Sequence, residues 1–514
     1  MNWIQGWDRN QQHLLPTQVE DYVAPENPIR FLDAFVDGVD LCKAGFAFPK
    51  ENSKGRGRPS YHPSLLLKLF LYGYLFQIRS SRRLEQECNR NLEVMWLMAG
   101  LKPDHKTIAD FRKNNAGVFN KVVGQLVRLC RKMDLFGAEL LAVDGTKIKA
   151  QNSPAKNWSQ DKLEKQLARA EERLSQYLKD IDEADTQNQP HCHALTKEQL
   201  QQKIEKLREH KKQTQERLET LKQNGQTQLS ATDAESRGMR CQGRHLVGYN
   251  VQGVIDAKHH LLVVSEVTNA ASDQGQLAPM ARAAKNELEI EQATITADGG
   301  YFKNQDIKEC QEMGMEPHVP PGLNSSCERA GLYGKADFTY DSTRNLYVCP
   351  NSAELSYRRE TEDKGKRVFN YTNSKACAQC PLKSKCTTSK FRTISRWEHE
   401  ECIEHMLTRM AAHPEKLAAR KTLIEHPWGT IKWLLPGGFL LRGIKKVRAE
   451  VSLAHWAYNF KRLVNLLGFE KLMAALRRFG AELGLKGGLC ALIELFLERT
   501  LAQMSKEERF FALN

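Results

Sequence analysis

The first segment, to about Leu135, is expected to be mostly helical from its apolar run and its candidate helix caps. The longest apolar run, 65–76, is interrupted by Lys68 and Gly73 and reads as a buried helix, with Pro63 suited to its first turn. Ser80 or Ser81 can cap a helix over 82–90, and Asp104 or Thr107 one that runs through Phe111 and Arg112. The Gly-rich stretch Lys54-Gly-Arg-Gly-Arg-Pro-Ser60 reads as a flexible basic linker. Three short helices carrying Arg79, Arg82, Arg83, Lys106, Arg112 and Lys113 suggest a helix-turn-helix-like bundle on DNA. A plain packing or dimerisation domain fits the same pattern.

Further along, the period changes. Residues 139–144, Glu-Leu-Leu-Ala-Val-Asp, read as a short apolar strand ending in a carboxylate. Leu163, Leu167, Ala170, Leu174, Tyr177 and Ile181 then recur in steps of four and three. After a turn near Pro190, Leu200, Ile204, Leu207, Leu218 and Leu221 continue the steps, broken at Lys211 and Thr214, which predicts an antiparallel helical hairpin with a coiled-coil seam. From His245 the period is two: Val247, Tyr249, Val251 and Ile255 share a face, and a turn at 256–259 leads into a returning strand over 260–268. A helix over 273–288 and a second apolar strand ending in a carboxylate, 293–298, follow. The order strand, hairpin, helix, strand makes a mixed α/β sheet.

At 514 residues, several domains or large insertions are expected. The 76 Lys and Arg against 62 Asp and Glu leave a net charge of +14, which favours a polyanionic partner without requiring one. No stretch is long and apolar enough to span a membrane, and no export signal is visible at the start, so a cytoplasmic protein with reduced thiols is expected.

The two carboxylate-terminated strands bear on chemistry. If Leu-Leu-Ala-Val-Asp144 and Thr-Ile-Thr-Ala-Asp298 are neighbours, their acids meet at one sheet edge, where they stay ionised only around a cation. A hard ion such as Mg²⁺ suits oxygen ligands, and two such ions can bind both oxygens of a phosphodiester exchange. Alternatively each Asp simply caps the turn after its strand. A third acid, Glu425, lies in a basic stretch between Lys421 and Lys432: either this is a surface ion-pair network, or the two Lys hold DNA phosphates while Glu425 completes the metal shell.

Ala142-Val-Asp144-Gly-Thr-Lys-Ile, Ala297-Asp298-Gly-Gly-Tyr301 and Glu425-His-Pro-Trp-Gly-Thr-Ile-Lys432 resemble the motifs of bacterial insertion-sequence transposases of the DDE type. The N-terminal Gly-Arg-Pro-Ser-Tyr-His-Pro, Tyr72-Gly-Tyr, Ile78-Arg-Ser-Ser-Arg82 and Thr107-Ile-Ala-Asp-Phe-Arg112 also resemble the domain that precedes the catalytic core there. The resemblance implies a ribonuclease H-like core in which Asp144, Asp298 and Glu425 hold two Mg²⁺ or Mn²⁺ ions. It implies cleavage at transposon ends and strand transfer by a 3′-hydroxyl, with no covalent enzyme intermediate. The partners it implies are double-stranded DNA, as terminal inverted repeats and target, and a second copy of the chain on that DNA. It further implies a bacterial cytoplasm, with the protein on the nucleoid when bound. In that family a Tyr and an Arg precede the Glu and a Lys follows it. Here these positions fall on Ala418, Lys421 and Lys432, so the Tyr is missing and a Lys replaces the Arg. Other readings are a two-metal nuclease or resolvase that cuts without joining, and a domesticated DNA-binding protein without catalysis.

Cys349, Cys377, Cys380 and Cys386 have the ligand type and number of a structural Zn²⁺ site, against the alternative of ordinary reduced thiols. The basic run 442–448, with Lys445 and Lys446, suits DNA backbone contact or a solvated face, and Leu453, Trp456, Phe460, Leu463 and Leu467 form a core stripe against the sheet. The expected organisation is a helical DNA-binding or dimerisation domain (1–135) and a catalytic core in three parts (136–157, 225–320, 401–470). A helical hairpin (158–224) and a Cys-rich segment (321–400) interrupt the core, and a helical segment (471–514) ends the chain.

Overall fold

The computed structural model describes residues 18–48, 60–186, 197–225, 227–241, 243–322, 330–363 and 365–480. The basic linker before Ser60, the turn at Pro190 and residues 481–514 lie outside them. Among the described residues no helix is long and apolar enough to cross a membrane.

Among the described residues seven α-helices come first: α1 Pro28–Gly38, α2 Leu41–Ala44, α3 Pro63–Leu75, α4 Ser81–Arg90, α5 Leu92–Leu97, α6 His105–Asn114 and α7 Phe119–Lys132. Pro63 starts α3 as expected, and the Asp104 side chain caps α6 by accepting from the Thr107 amide at 2.8 Å. Ser80 occupies the cap position of α4 without a side-chain bond. The interrupting Lys68 is buried because its ammonium reaches Asp33 and Asp37 on α1, at 2.6 and 2.7 Å. Gly73 is needed where it stands: a Cβ there would lie 2.5 Å from the Ile78 carbonyl oxygen.

These helices do not close a core of their own. One hydrophobic cluster runs from Phe31 and Phe70 through the sheet to Trp456. The Phe31 and Phe460 rings stack at 5.4 Å, and Phe35 lies 5.8 Å from Trp456.

Strand β1, Leu140–Lys149, starts the sheet. An excursion follows, made of β2 Asn157–Ser159, helices α8 Gln160–Thr186 and α9 Lys197–Gln223, and β3 Gln228–Ser230. β2 pairs with β3 and closes the root of the hairpin around Trp158, Leu163 and Leu221. The two breaks in the seam are accommodated. Thr214 is buried but donates to the His210 carbonyl at 2.7 Å, and Lys211 reaches across to Glu171 at 2.9 Å.

The chain returns with β4 Arg237–Cys241, β5 Arg244–Asp256, β6 Leu262–Thr268, α10 Leu277–Leu288, β7 Ala293–Thr296, α11 Asn304–Glu312 and β8 Met315–His318. The six-stranded sheet runs β4-β5-β1-β7-β8, with β6 also on β5. β1 is antiparallel to β5 and parallel to β7, and β7 is parallel to β8. β5 is buried on both faces over most of its length, which brings polar Asn250 and Gln252 inside opposite the apolar face.

Residues 339–397 form a second, antiparallel sheet in the order β13-β12-β11-β10-β9. Its strands are β9 Thr339–Asp341, β10 Leu346–Val348, β11 Glu354–Asp363, β12 Lys366–Thr372 and β13 Thr393–Trp397, with α12 Ser374–Ala378 and α13 Lys383–Cys386 before the last. Three helices end the described chain: α14 Glu400–Ala412, α15 Pro414–Leu434 and α16 Ile444–Gly480, the last broken at Gly468 with φ +74°. The predicted stripe on α16 is buried at Leu453, Trp456, Phe460 and Leu463. Asn459 accepts from the Leu262 amide at 3.0 Å and donates to its carbonyl at 2.8 Å, which occupies the outer edge of β6.

Candidate active site

β1 and β7 lie side by side and parallel, in the register Leu140↔Thr294, Leu141↔Ile295, Ala142↔Thr296. Asp144 and Asp298 each stand two residues beyond the last pair of the two strands, so both acids lie at one level. The strand does not end at Asp144 as expected. β1 runs on to Lys149 along β5, with Asp144 opposite Gly253; it is the pairing with β7 that stops. Gly253 lets α15 approach closely, because a Cβ there would stand 3.0 Å from the Trp428 ring.

The Asp144 side chain is 16% exposed. Burial pushes its pKa up to about 7; Arg420 opposes this, and the charges of Asp298 and then Asp273 add to it. The Arg420 guanidinium lies 3.4 Å from Asp144 Oδ1. Asp298 caps the single turn that follows it, with Oδ1 accepting from the Gly300 amide at 2.8 Å. The capping reading therefore holds for Asp298, and it uses only one carboxylate oxygen.

Asp273 belongs to the same group and was not legible in the sequence. Residue 273 was expected to begin a helix, but α10 begins at Leu277. The intervening loop lets Asp273 turn inward and accept from Asn250 Nδ2 at 2.7 Å and Gln252 Nε2 at 2.8 Å. Tyr301, fully buried, donates to Gln252 Oε1, and burial followed by the charges of Asp273, Asp144 and Asp298 holds its hydroxyl well above the usual range. The only hint in the sequence was two amides alternating in a strand otherwise apolar on both faces.

Glu425 stands apart. α15 presents Arg420, Leu423, Pro427, Trp428, Ile431 and Leu434 to the protein body, while Lys421, Glu425 and Lys432 share the exposed face. Glu425 has no hydrogen bond or ion pair among the described residues. Nor do any three Asp, Glu, His or Cys side chains there stand close enough to form a metal shell as they are. The Arg sought at position 421 has a counterpart one residue earlier, since Arg420 points to the sheet and Lys421 to solvent.

Two expected DNA contacts are corrected. Arg79 is buried: it donates to the Gly438 carbonyl at 2.8 Å, to the Pro436 carbonyl and to Glu450 at 3.3 Å. Arg112 is buried over the Phe70 ring and donates to the Arg79 carbonyl at 3.2 Å. Both are committed to the interior and cannot meet a phosphate. Arg82 and Arg83 on α4 and Lys445 at the start of α16 are exposed, and Lys446 is half-buried.

Cys349, Cys377, Cys380 and Cys386 are half-buried free thiols. Cys349 sits in a tight turn after β10, its amide donating to the Ala353 carbonyl and its carbonyl accepting from Ser352, at 2.9 and 2.8 Å. Asn373 joins that turn to the α12 segment by donating to the Glu354 carbonyl at 2.8 Å while capping the helix that carries Cys377. Burial raises the Cys386 thiol, Arg392 opposes it, and the other three thiols raise it further, so all four share one neighbourhood.

Comparison with known proteins gives two family matches. Residues 17–114 match Transposase domain (DUF772), and residues 348–464 match Transposase DDE domain. The second match includes Glu425 and the four cysteines but neither Asp144 nor Asp298. No curated protein matches. Among solved structures, the cryo-EM structure of piggyBac transposase synaptic complex with hairpin DNA is similar over 91% of this chain and 85% of its own. At 7% identity and a TM-score of 0.30 that likeness carries no argument.

Proposed function

We infer the chemistry from the family, for the chain is a DDE-type transposase of the insertion-sequence kind. Its active site, on our reading, is built on Asp144 and Asp298, with Glu425 brought in from α15. The observation that carries this is the level placement of the two Asp side chains on adjoining parallel strands, where Asp144 is pushed up to about 7. Such a carboxylate ionises readily only when positive charge is added, and Arg420 supplies only part of it. The donor set is all oxygen, which fits Mg²⁺ or Mn²⁺. The strand order β6-β5-β1-β7-β8 supports a ribonuclease H-like core, with 158–224 and 321–400 as insertions.

Two divalent ions, when bound, supply the acidity that activates water or a 3′-hydroxyl and stabilise the leaving oxygen. Asp144 and Asp298 would hold those ions at the sheet edge, where the reacting phosphate would meet them. Arg420 neutralises Asp144 and orients it. Lys421 and Lys432, on the face of Glu425, hold phosphates of double-stranded DNA, and Arg82, Arg83, Lys445 and Lys446 extend that contact. The net charge of +14 favours the same partner. Two element ends must be joined, so two copies of the chain assemble on DNA.

Incubation of the full chain with element-end DNA and Mg²⁺ is expected to give joined strand-transfer products. Simple cuts alone would make the chain a nuclease, and a shifted but uncut band would make it a binder.

The reading also predicts a pH dependence. Metal binding needs ionised Asp144, so at limiting Mg²⁺ cleavage should rise as pH climbs through about 7 and level off above it. Excess Mg²⁺ should move the rise to lower pH. Arg420→Gln removes the charge that holds Asp144 down, so the rise should move to higher pH. A profile that Arg420→Gln leaves unmoved would remove Arg420 from this role.

The four thiols have the ligand type and number of a structural Zn²⁺ site; as they stand no three are close enough to form a shell, so they would have to close on the ion, which would then tie the β10 turn to α12 and α13. The purified chain is expected to carry one zinc equivalent, and Cys380→Ser should lose it and become protease-sensitive within 321–400. Metal analysis showing no zinc and no uptake from solution would refute this.

A further inference from the structure

Asp273 has no part in the assignment above, yet it lies between its two Asp residues. Oδ1 accepts from Asn250 and Gln252, while Oδ2 has no hydrogen bond among the described residues. Oδ1 stands 2.9 Å from where a Cβ on Gly145 would be, next in the chain to Asp144. Oδ2 stands 3.9 Å from the corresponding point on Gly300, and Asp298 Oδ1 lies 2.9 Å from that same point. The glycines after both strand-end acids therefore have a spatial reason. Side chains at 145 or 300 would occupy the volume into which Asp273 projects, and a Cβ on Gly145 would come within 2.4 Å of Gln252 Nε2.

A purely structural Asp273 explains this poorly. Accepting two amide hydrogens needs only a neutral oxygen, and Asn would provide one. The negative charge instead stands beside two other carboxylates and helps to push Asp144 up. A second oxygen lies beside Asp273 Oδ1: Asn250 is fully buried, and its Oδ1, 3.0 Å from the Gly145 Cβ point, has no hydrogen-bond partner among the described residues. A buried acceptor without a donor is costly unless a cation or a cation's water meets it.

We propose that Asp273 is a metal-facing carboxylate of this site, giving its free oxygen to a divalent ion shared with Asp144 and Asp298 once the three side chains, which as they stand are too far apart to form a shell, close on it. The proposal rests on the reading of Asp144 and Asp298 as metal ligands. It gives the sheet-end site three acids without Glu425, which then closes the shell from α15 when DNA is bound.

The test uses the full chain without DNA and follows Mn²⁺ binding by electron paramagnetic resonance, beside cleavage assays. Asp273→Asn is expected to weaken Mn²⁺ binding by roughly tenfold or more, the scale of a lost metal contact. Asp273→Cys should lose cleavage in Mg²⁺ and recover part of it in Mn²⁺, a rescue that a merely structural residue would not give. If Asp144→Asn loses Mn²⁺ while Asp273→Asn binds it like the parent, this proposal fails and the Asp pair stands. If neither substitution alters Mn²⁺ binding, the metal reading of the whole site fails. Should Asp273→Asn not fold, the metal-dependent rescue of Asp273→Cys decides alone, and its absence counts against the proposal.

Discussion

Asp144→Asn is expected to lower strand cleavage and strand transfer by about a thousandfold or more, while DNA affinity stays close to that of the parent chain. Charge stabilisation of a phosphoryl transition state by bound metal is worth several kcal/mol, and each 1.36 kcal/mol is about tenfold in rate. The amide keeps the size of the acid but cannot supply its negative charge. The substitution should not unfold the protein, and the sign of the pKa shift says why. Asp144 is raised from 3.8 to about 7 in the fold, so folding favours its protonated form. That contribution is fully present below 3.8 and is lost as pH rises to about 7, above which the ionised group is a net burden on the fold. A neutral Asn carries no such burden. Thermal unfolding above pH 7 without added metal should therefore find Asp144→Asn at least as stable as the parent. Retained cleavage by a folded Asp144→Asn protein would overturn the site.

The residues that were legible in the sequence share a local signature. Asp144 and Asp298 each follow an apolar run, and the run, the acid and the next Gly lie within a few positions of one another. The α8/α9 hairpin and the α16 stripe were legible for the same reason, since their periodicity repeats over many turns. Asp273 had the opposite fate. An acid just ahead of a helical pattern normally caps it, and only the folded chain shows that the helix waits until Leu277. The five-stranded sheet at 339–397 was also missed, because β9 and β10 have only three residues each and show no period. β1 was cut short at Asp144 because the polar residues after it look like a turn, whereas β5 pairs with them through Lys149.

The charges were misread in a way that the physics explains. Arg79 and Arg112 sit among other basic residues and look like a DNA-facing surface, but a sequence window cannot show a partner 371 positions away. Arg420 was passed over for Lys421 by the motif's spacing, yet the helical turn directs the first to Asp144 and the second to solvent. Long-range packing of the loop before α4 decided the case of Arg79, and the phase of α15 decided that of Arg420. Of the residues expected to meet DNA, the fold leaves Arg82, Arg83, Lys421, Lys432 and Lys445 exposed and Lys446 half-buried.

Arg79→Met should consequently be a stability variant, costing about 3 kcal/mol, the lower end of the usual range for breaking a buried ion pair from one side. Glu450 is fully buried and accepts from the Leu440 and Leu441 amides, the closest approach being 2.6 Å from Leu441. Burial raises its carboxyl, and Arg112 and Arg79 oppose that. Removing Arg79 leaves Arg112 to compensate the charge, which is why the lower end applies, and it also orphans the carbonyls of Pro436 and Gly438. An acid with a raised pKa favours the fold when protonated, and Arg79→Met raises Glu450 further. The penalty is thus present in full above the folded pKa of Glu450 and is relieved as pH falls below it. Urea midpoints should place the two proteins furthest apart at high pH and draw them together on acidification. DNA binding separates this role from surface contact. Arg82→Ala should leave the unfolding free energy within about 0.5 kcal/mol of the parent while lowering the salt slope of DNA binding by about 0.9 for its one lost phosphate. The folded fraction of Arg79→Met should show the parent slope. A changed slope with an unchanged midpoint would return Arg79 to the DNA surface.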